Sequence, residues 1–255
     1  MESALVSEIT AATTCGGSLE ISKQLSQFLV TQTGSSNFRE RLEECFRRIK
    51  NLNYFSEFKT FTDFLSHVKV LKDSDKVVSS GVYIAHGQSE IKVCGNATII
   101  ALDRVNILAT KKSIIFAFDK ARTTSFEQTE TICFDNSVFF AYEHSLVKAY
   151  DHSKGKAMGF VNVKAHGASV VDAFDRCLVI ANDNSTIRAY KAVRLEAYDH
   201  TNVYLFDDAI GFIFDQSTAH LGDNSMICRN NNEGNIGRQN LNSVFLLYPL
   251  SFDAN

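Results

Sequence analysis

The sequence is poor in residues that interrupt regular structure, because its 255 residues include one proline and no tryptophan. Proline fixes φ and removes a backbone donor, so its scarcity predicts a chain with few irregular loops. The six cysteines form no Cys-x-x-Cys pair and no zinc-ligand spacing, which excludes the usual disulfide frameworks and zinc sites and indicates reduced thiols. No apolar run approaches the ~20 residues of a membrane helix and no signal peptide opens the chain, so we expect a cytoplasmic protein without a membrane partner.

A large net charge and the common catalytic motifs are also missing from the sequence. The formal net charge is -3, which gives no bulk attraction to phosphate, so no direct sequence-specific nucleic-acid binding is expected. The sequence contains no Gly-x-x-x-x-Gly-Lys-Ser loop, no His-Glu-x-x-His and no Gly-x-Ser-x-Gly, which are the signatures of phosphate, metalloprotease and serine-hydrolase chemistry. We therefore expect no enzyme, no cofactor and no metal site.

An eight-residue repeat dominates the sequence from residue 85 to residue 221. Counting in steps of eight from Ala85, twelve of eighteen positions are alanine, whereas about two would be expected by chance. A β-branched residue usually stands two positions before the alanine and a serine four positions before it, while an aromatic residue and then Asp, Glu or Gly follow it. The repeat unit is therefore Asp/Gly-x-Ser/Ala-x-Val/Ile-x-Ala-Tyr/Phe.

The repeat predicts a parallel β-solenoid. Small and β-branched residues at alternate positions place one face of a short strand inward, because strand side chains alternate with period two. Asp or Gly followed by a polar residue is typical of a corner, since glycine accepts positive φ and aspartate bonds to nearby backbone. A helical repeat is disfavoured because eight is a poor multiple of 3.6 and because valine, isoleucine and tyrosine favour strands. Stacked units bury a shared interior that one unit alone cannot close.

The number of octads in one coil follows less directly from the sequence. With three octads per coil, Asp103, Glu127 and Asp151 stack in a uniformly acidic corner. With two octads per coil, residues such as Gly87 and Lys111 interrupt the acidic corners. We therefore expect a triangular coil of about 24 residues, and a flattened coil of two octads stays open as the alternative.

Three segments are predicted: an α-helical head over residues 1–76, the octapeptide solenoid over 77–225, and a C-terminal loop and capping strand over 226–255. A weaker helix is expected over 19–30 and a last strand over 244–248. Covering the terminal coils protects exposed strand edges from aggregation. Two apolar stripes at helical spacing mark the head: Phe38, Leu42, Cys45, Phe46, Ile49 and Leu52, then Phe55, Phe58, Phe61, Phe64, Leu65 and Val68.

The residues directly before the alanines should point outward, and several of them are large and apolar. Such an exposed ladder is costly unless the N-terminal helices or another protein cover it. A basic cluster lies on the second predicted helix, which carries the first apolar stripe, and is a candidate for a further contact. Since glutamates lie on the same helix, the alternative is a solvated amphipathic surface. The predicted partner-binding residues are Ile84, Leu108, Ile132, Phe116, Phe140, Phe212, Arg47, Arg48 and Lys50.

The segments 96–103 (Asn-Ala-Thr-Ile-Ile-Ala-Leu-Asp) and 185–190 (Ser-Thr-Ile-Arg-Ala-Tyr) resemble the tandem units of octapeptide-repeat proteins from Bacteroidetes and their phages. The resemblance covers roughly 77–225; it implies a β-solenoid and brings no catalytic residues with it. The phage association leads to a narrower hypothesis, a mobile-element protein similar to an anti-CRISPR inhibitor that occludes a host defence nuclease.

The function predicted from the sequence is a non-enzymatic module that binds another protein or a protein–RNA complex through the outer ladders and the helical head. One alternative is a polymer-forming scaffold that resembles bactofilins and self-associates end to end. The other is a carbohydrate-active solenoid enzyme, which requires paired carboxylates in a concave groove and which the regular columns disfavour.

Overall fold

The computed structural model of the protein describes residues 37–71, 76–222, 224–229, 236–238 and 244–247. Within these ranges the chain forms helices α1 (Asn37–Asn51) and α2 (Phe61–His67), followed by short strands. In chain order the strands are β1 (Lys69–Val70), β2 (Val77–Val78), β3 (Val82–Ala85), β4 (Glu90–Val93), β5 (Thr98–Ala101), β6 (Asn106–Ala109), β7 (Ile114–Ala117), β8 (Arg122–Ser125), β9 (Glu130–Cys133), β10 (Val138–Glu143), β11 (Leu146–Ala149), β12 (Lys154–Gly159), β13 (Asn162–Ala165), β14 (Val170–Asp175), β15 (Leu178–Ala181), β16 (Thr186–Ala189), β17 (Arg194–Ala197), β18 (Asn202–Leu205), β19 (Ile210–Ile213), β20 (Thr218–Leu221), β21 (Met226–Arg229), β22 (Ile236–Arg238) and β23 (Val244–Leu247).

Successive strands alternate between two parallel sheets. The odd-numbered strands form a 12-stranded sheet, the odd sheet, and the even-numbered strands form an 11-stranded sheet, the even sheet. In every pair whose two strands both lie between β3 and β21, the paired residues are sixteen positions apart, as Ala101 and Ala117 are in the odd sheet and Ile91 and Ile107 in the even sheet. At ~4.8 Å per rung the odd sheet is about 50 Å long.

This architecture confirms the predicted parallel β-solenoid with helices at its N-terminal end, but the expected coil of 24 residues is wrong. One coil holds two octads, and the molecule is flattened rather than triangular. The acidic-corner argument failed because a corner requires a backbone conformation rather than a charge. Every eighth residue from 87 to 215 has positive φ, between 52° at Asp215 and 96° at Gly159, and Gly, Asp, Glu and Lys all occupy these positions.

The alanine column points into the narrow space between the two sheets, as predicted, and its members are almost completely buried. Cys133 and Cys177 lie in the same interior, where burial raises the pKa of their thiols to about 12 and about 11. Where a large side chain fills the interior at one rung, a small residue stands at the equivalent position of a neighbouring rung, as at Phe139 and Gly155 in the even sheet. A Cβ atom on Gly155 would lie 2.4 Å from Cγ of Phe139, one rung earlier in the even sheet, so glycine at 155 makes room for that ring.

The helical head, defined here as residues 37–68, packs on the outer face of the odd sheet. It completely buries Ile84, Ile100, Phe116 and Ile132, which are successive outward residues of β3, β5, β7 and β9. Their cover consists of apolar side chains from α1, α2 and the connecting loop: Phe38, Leu42, Cys45, Phe46, Ile49, Phe55, Phe58, Phe64, Leu65 and Val68.

The predicted apolar stripes of the head are therefore its core, and the predicted terminal strand is present as β23. The segment expected to be head up to residue 76 already contributes β1 to the odd sheet. The weaker helix expected over 19–30 lies outside the described residues. Over the described ranges, none of the helices has the length and apolar character needed to cross a membrane.

Candidate protein interface

The corners that follow the odd strands carry a ladder of aspartate–amide hydrogen bonds. Asp119 Oδ2 accepts the backbone N–H of Asp103 at 3.0 Å, Asp135 Oδ2 accepts that of Asp119 at 3.1 Å, and Asp151 Oδ2 accepts that of Asp135 at 2.9 Å. Each corner donor is thus satisfied by the carboxylate one coil later. Because aspartate also tolerates positive φ better than most side chains, one residue type meets both requirements of the corner.

Helix α1 lies along this ladder and binds it through two arginines. Arg41 Nη2 lies 2.8 Å from both Asp103 Oδ1 and Asp119 Oδ2. Arg48 Nη1 lies 2.8 Å from Asp135 Oδ1, and its Nη2 also pairs with Asp151. Each of the two guanidinium groups therefore bridges two aspartates, so that four consecutive aspartates have an ion pair.

The spacing of the arginines explains why two residues can serve four rungs. Residues seven apart lie on the same face of a helix and are separated by about 10.5 Å along its axis. Two rungs of a parallel sheet span about 9.6 Å, so Arg41 and Arg48 reach equivalent positions two coils apart. Burial alone would raise the pKa of Asp103, but the hydrogen bonds from Arg41 and from the Gly87 amide outweigh it and hold that pKa below its usual value.

Aromatic rings stack beside the aspartates and add to the arginine contact. The rings of Phe118 and Phe134 stack with centroids 4.6 Å apart, and Phe134 stacks on Tyr150 at 5.2 Å. The Arg48 guanidinium carbon lies 4.3 Å from the centroid of Phe134. A guanidinium on an aromatic face gains a cation–π attraction in addition to its ion pairs.

The head interface ends at a polar cluster on β9 and β11. Lys148 Nζ lies 2.8 Å from Glu130 Oε1 and 2.7 Å from the Tyr54 hydroxyl, which itself donates to Glu130. Burial and this hydrogen bond both raise the pKa of Tyr54, so the hydroxyl keeps its proton and stays a donor. On the outer face of the odd sheet, the contact with the head therefore ends at β11.

Beyond the head, the odd sheet presents an uncovered apolar surface, which we call the distal face. It consists of the outward residues Leu178 and Ile180 on β15 and Ile210 and Phe212 on β19. The exposed fractions are 51% for Leu178, 38% for Ile180 and 41% for Phe212, whereas the equivalent Phe116 under the head is 0% exposed. These four side chains form two apolar pairs on strands two rungs apart, and Arg194 and Glu196 of β17 lie between the pairs. Accessible apolar side chains grouped on one face in this way mark interaction sites.

The distal face is bordered by the continuation of the aspartate ladder. Asp183, Asp199 and Asp215 occupy the corners and accept the amides of Gly167, Asp183 and Asp199 at 2.8, 3.0 and 3.3 Å. No arginine or lysine among the described residues pairs with them; the nearest cation source is His166, whose Nδ1 lies 3.9 Å from Asp183. Burial lowers the pKa of His166, so near neutral pH it leaves these carboxylates uncompensated.

The structure corrects part of the predicted binding surface. Ile84, Phe116 and Ile132 are 0% exposed beneath the head, so no partner can reach them while the head is docked. The first of the two explanations for the apolar ladder, cover by the N-terminal helices, holds for this part of the odd sheet. The error came from the 24-residue register, which distributed neighbouring residues of one sheet over three faces.

The three predicted basic residues of α1 have different environments. Arg48 is occupied by Asp135 and Asp151. Lys50 Nζ donates to the carbonyl oxygens of Phe58 at 2.8 Å and Lys59 at 3.1 Å, which closes the loop before α2. Arg47 is exposed, and it pairs with Glu44 one turn earlier on the helix.

The other predicted residues remain accessible but lie on opposite sides of the molecule. Leu108 and Phe140 are outward residues of the even sheet, separated by the rung of Thr124, and Leu108 is 38% exposed. Phe212 belongs to the distal face of the odd sheet. Sequence reasoning missed Leu178 and Ile210, because it examined only the position before each alanine and not the other outward position, three residues before it.

A shallow depression on the even corners is lined by Lys111, Glu127, Glu143 and His144. Its two carboxylates belong to the corner scaffold, since Glu143 Oε2 accepts the amide of Glu127 at 2.9 Å. The described side chains include no group of three or more His, Cys, Asp or Glu residues able to hold a metal ion. Of the surfaces described here, the distal face is therefore the one that combines exposed apolar side chains with aspartates lacking an arginine or lysine partner among the described residues.

Comparison with known proteins found no matching family model, no matching curated protein and no matching solved structure.

Proposed function

We propose that the protein is a non-enzymatic binding module that holds another protein on the distal face. The observation that carries this proposal is the contrast between two halves of one surface. Where the head lies on the odd sheet, from β3 to β9, the outward residues one position before the alanine column are completely buried. Leu178 and Ile180 lie two rungs beyond the last head contact on β11, Phe212 lies two rungs further on, and all three are exposed. The same sheet thus presents large outward apolar side chains a second time, here without a cover.

Rigidity supports this proposal. A parallel ladder with satisfied corners holds its outer side chains at fixed spacing, so a partner meets a preformed surface and little entropy is lost in ordering it. The aspartate border also matches the polar rim that protein interfaces usually have around their buried contacts.

The test is quantitative capture of partners by the tagged protein in its native host, followed by cross-linking to map the contact. The double variant Ile180→Asp plus Phe212→Asp places two charges in the proposed contact. It should reduce the recovery of the cross-linked partner by at least about tenfold, because central apolar contacts dominate interface energies. Far-UV circular dichroism checks that the variant keeps the solenoid.

The matched control is Leu108→Asp plus Phe140→Asp, which makes the same change on the even sheet. Leu108 has the same exposed fraction as Ile180, 38%. Recovery that depends on the control pair instead would place the interface on the even sheet and contradict the proposal. Purified protein that only self-associates in sedimentation, with no other partner captured, would favour the scaffold alternative.

The narrower hypothesis, inhibition of a host defence nuclease, stays a prediction based on the resemblance of the repeats. It requires that the captured partner be a component of such a nuclease and that cleavage by it fall when the protein is added. The distal-face variant would then have to restore cleavage.

A further inference from the structure

We infer that the partner occupies the distal face with an amphipathic α-helix that carries arginine or lysine residues seven positions apart. This inference rests on the proposed function, because it names the chemistry of the partner at that same face. It follows from the way the solenoid already binds one helix, α1, through features that recur further along the repeat.

The surface on which α1 docks recurs further along the solenoid. In the head interface, Phe118 and Phe134 stack beside Asp119 and Asp135 and adjoin the apolar residue Phe116. In the distal region, Tyr198 and Phe214 stack with centroids 4.7 Å apart beside Asp199 and Asp215. Ile180, Ile210 and Phe212 supply the apolar contribution there. A helix laid along the solenoid axis at the distal face meets the same acidic column. The apolar and aromatic columns recur beside it, interrupted by Glu196 and Asn182.

The aspartate ladder beside the distal face is complementary in charge to a basic helix. Under α1, each aspartate of the ladder accepts one backbone amide and also pairs with an arginine. At Asp183, Asp199 and Asp215 the amide bond is present, but no arginine or lysine of the described chain supplies the second contact. The carboxylates lie one rung apart, about 4.8 Å, which concentrates negative potential along a line and attracts a row of cations.

The spacing of those cations is determined by the same match that holds α1. Two side chains seven residues apart on a helix are separated by about 10.5 Å, and Asp183 and Asp215 are two rungs, about 9.6 Å, apart. One cation can bridge Asp183 and Asp199 while the next reaches Asp215. A phosphate-bearing ligand is disfavoured here, because these carboxylates would repel it.

One rung makes the distal face selective rather than a simple copy of the head site. Between the apolar strands, β17 presents Arg194 and Glu196 outward, and the Tyr198 hydroxyl donates to Glu196 at 3.0 Å. The preferred helix therefore carries an acidic residue opposite Arg194. In the docked head the glutamates of α1 all lie on its exposed side. Helix α1 therefore supplies the two arginines that the distal face requires but not the acidic residue opposite Arg194.

The experiment measures binding of a helical peptide to the complete protein. The probe is a fluorescent 15-residue peptide with the sequence of residues 37–51, held helical by a covalent staple between positions 40 and 44, which are exposed on α1. Without the staple a helix of this length would be largely unfolded in water. Anisotropy titration should show saturable binding that weakens as salt is raised.

Two changes test the charge argument from opposite sides. A peptide carrying Arg41→Glu and Arg48→Glu should bind at least about tenfold more weakly. The protein variant Asp183→Asn, Asp199→Asn and Asp215→Asn should weaken binding of the original peptide at least about fivefold. Asparagine keeps an oxygen to accept the corner amide and tolerates positive φ, so the ladder persists while the charge is removed.

The matched control variant is Glu143→Gln, Asp175→Asn and Asp207→Asn, which removes three charges from the opposite, even corners. It should leave peptide binding unchanged within about twofold. Hydrogen exchange should show protection by the peptide over β15 to β19. Protection confined to the head site would mean that the peptide had displaced α1, and this result would overturn the inference.

Two further results would overturn the inference. One is the absence of saturable peptide binding, and the other is equal binding of the peptide by the two triple variants. The proposed function fails separately, by the capture experiment. If Ile180→Asp plus Phe212→Asp abolishes capture while the three distal asparagines leave it intact, a protein partner is confirmed and the basic helix is excluded. If neither the aspartate double variant nor the asparagine triple variant changes the recovery of the partner, the distal face is not the interface.

Discussion

At the scale of single residues, the corner position shows how a repeat reconciles two demands. The backbone there has positive φ, which costs most L residues about 1–2 kcal/mol, and its amide points at the next coil. Glycine meets the first demand, lysine tolerates it, and aspartate meets both because its carboxylate accepts the neighbouring amide. The corners following the odd strands contain only Asp and Gly from residue 87 to residue 215.

A substitution series at Asp207 separates these two contributions. Its Oδ2 accepts the amide of Lys191 at 3.1 Å and its φ is 56°. Asp207→Asn should keep both contributions, Asp207→Gly should lose the acceptor, and Asp207→Ala should lose the acceptor and strain the backbone. We expect the free energy of unfolding to fall in that order, by about 1–2 kcal/mol for alanine. Urea denaturation measures it, and an alanine variant as stable as the asparagine variant would contradict this account.

At the scale of elements, the head is attached by a match between two periodicities. Seven residues of α-helix and two rungs of β-sheet have nearly the same length, so one helix can contact four consecutive corners without bending. The apolar residues of α1 then fall on the odd sheet, where they bury Phe116 and its neighbours. Docking of the head therefore requires both the arginine spacing and the apolar stripe.

Adjacent arginines on α1 provide the test of that attachment. Arg48→Ala removes two ion pairs and the contact with the Phe134 ring. Since these groups are partly exposed, we expect a loss of about 1–2 kcal/mol in the free energy of unfolding. Arg47→Ala, which removes only the pair with Glu44, should change it by less than about 0.5 kcal/mol.

Thermal denaturation gives the stabilities, and hydrogen exchange of the α1 amides shows whether the head loosens locally. Equal effects of the two substitutions would show that the ladder contacts do not hold the head.

At the scale of the whole molecule, the solenoid is a stack of exchangeable coils. Removal of residues 162–177 deletes one complete coil and restores the register, since Val161 and Cys177 occupy the same inward position. We expect this variant to unfold cooperatively, with a melting temperature within about 5 °C of that of the complete chain. Removal of residues 162–173 instead puts Phe174, which comes from the end of β14, at the position where β13 should begin.

The shorter deletion should therefore prevent folding of the coils beyond it, although it removes less of the chain. Circular dichroism and limited proteolysis distinguish the two variants. A stable product from the twelve-residue deletion would contradict the sixteen-residue coil.

Much of this architecture follows from local pattern. The inward alanines, the strand-and-corner unit and the apolar stripes of the head are predictable because side-chain direction has period two in a strand and about 3.6 in a helix. The coil size is not local, since it depends on which strands pair across sixteen or twenty-four residues. The distal face escaped prediction for the same reason, because β15 and β19 lie in one sheet, two rungs apart, only in the correct register.

By itself, then, the amino-acid order determined a parallel β-solenoid with an alanine interior, since repeated octads can bury their inner faces only by stacking. Tertiary structure alone decided which outward residues are covered. Arg41 and Arg48 place α1 on the first aspartates of the ladder, so the head hides Phe116 and leaves Phe212 exposed. The physical reason is that helix rise and strand spacing coincide over two coils, a relation between elements that no single segment of the chain reveals.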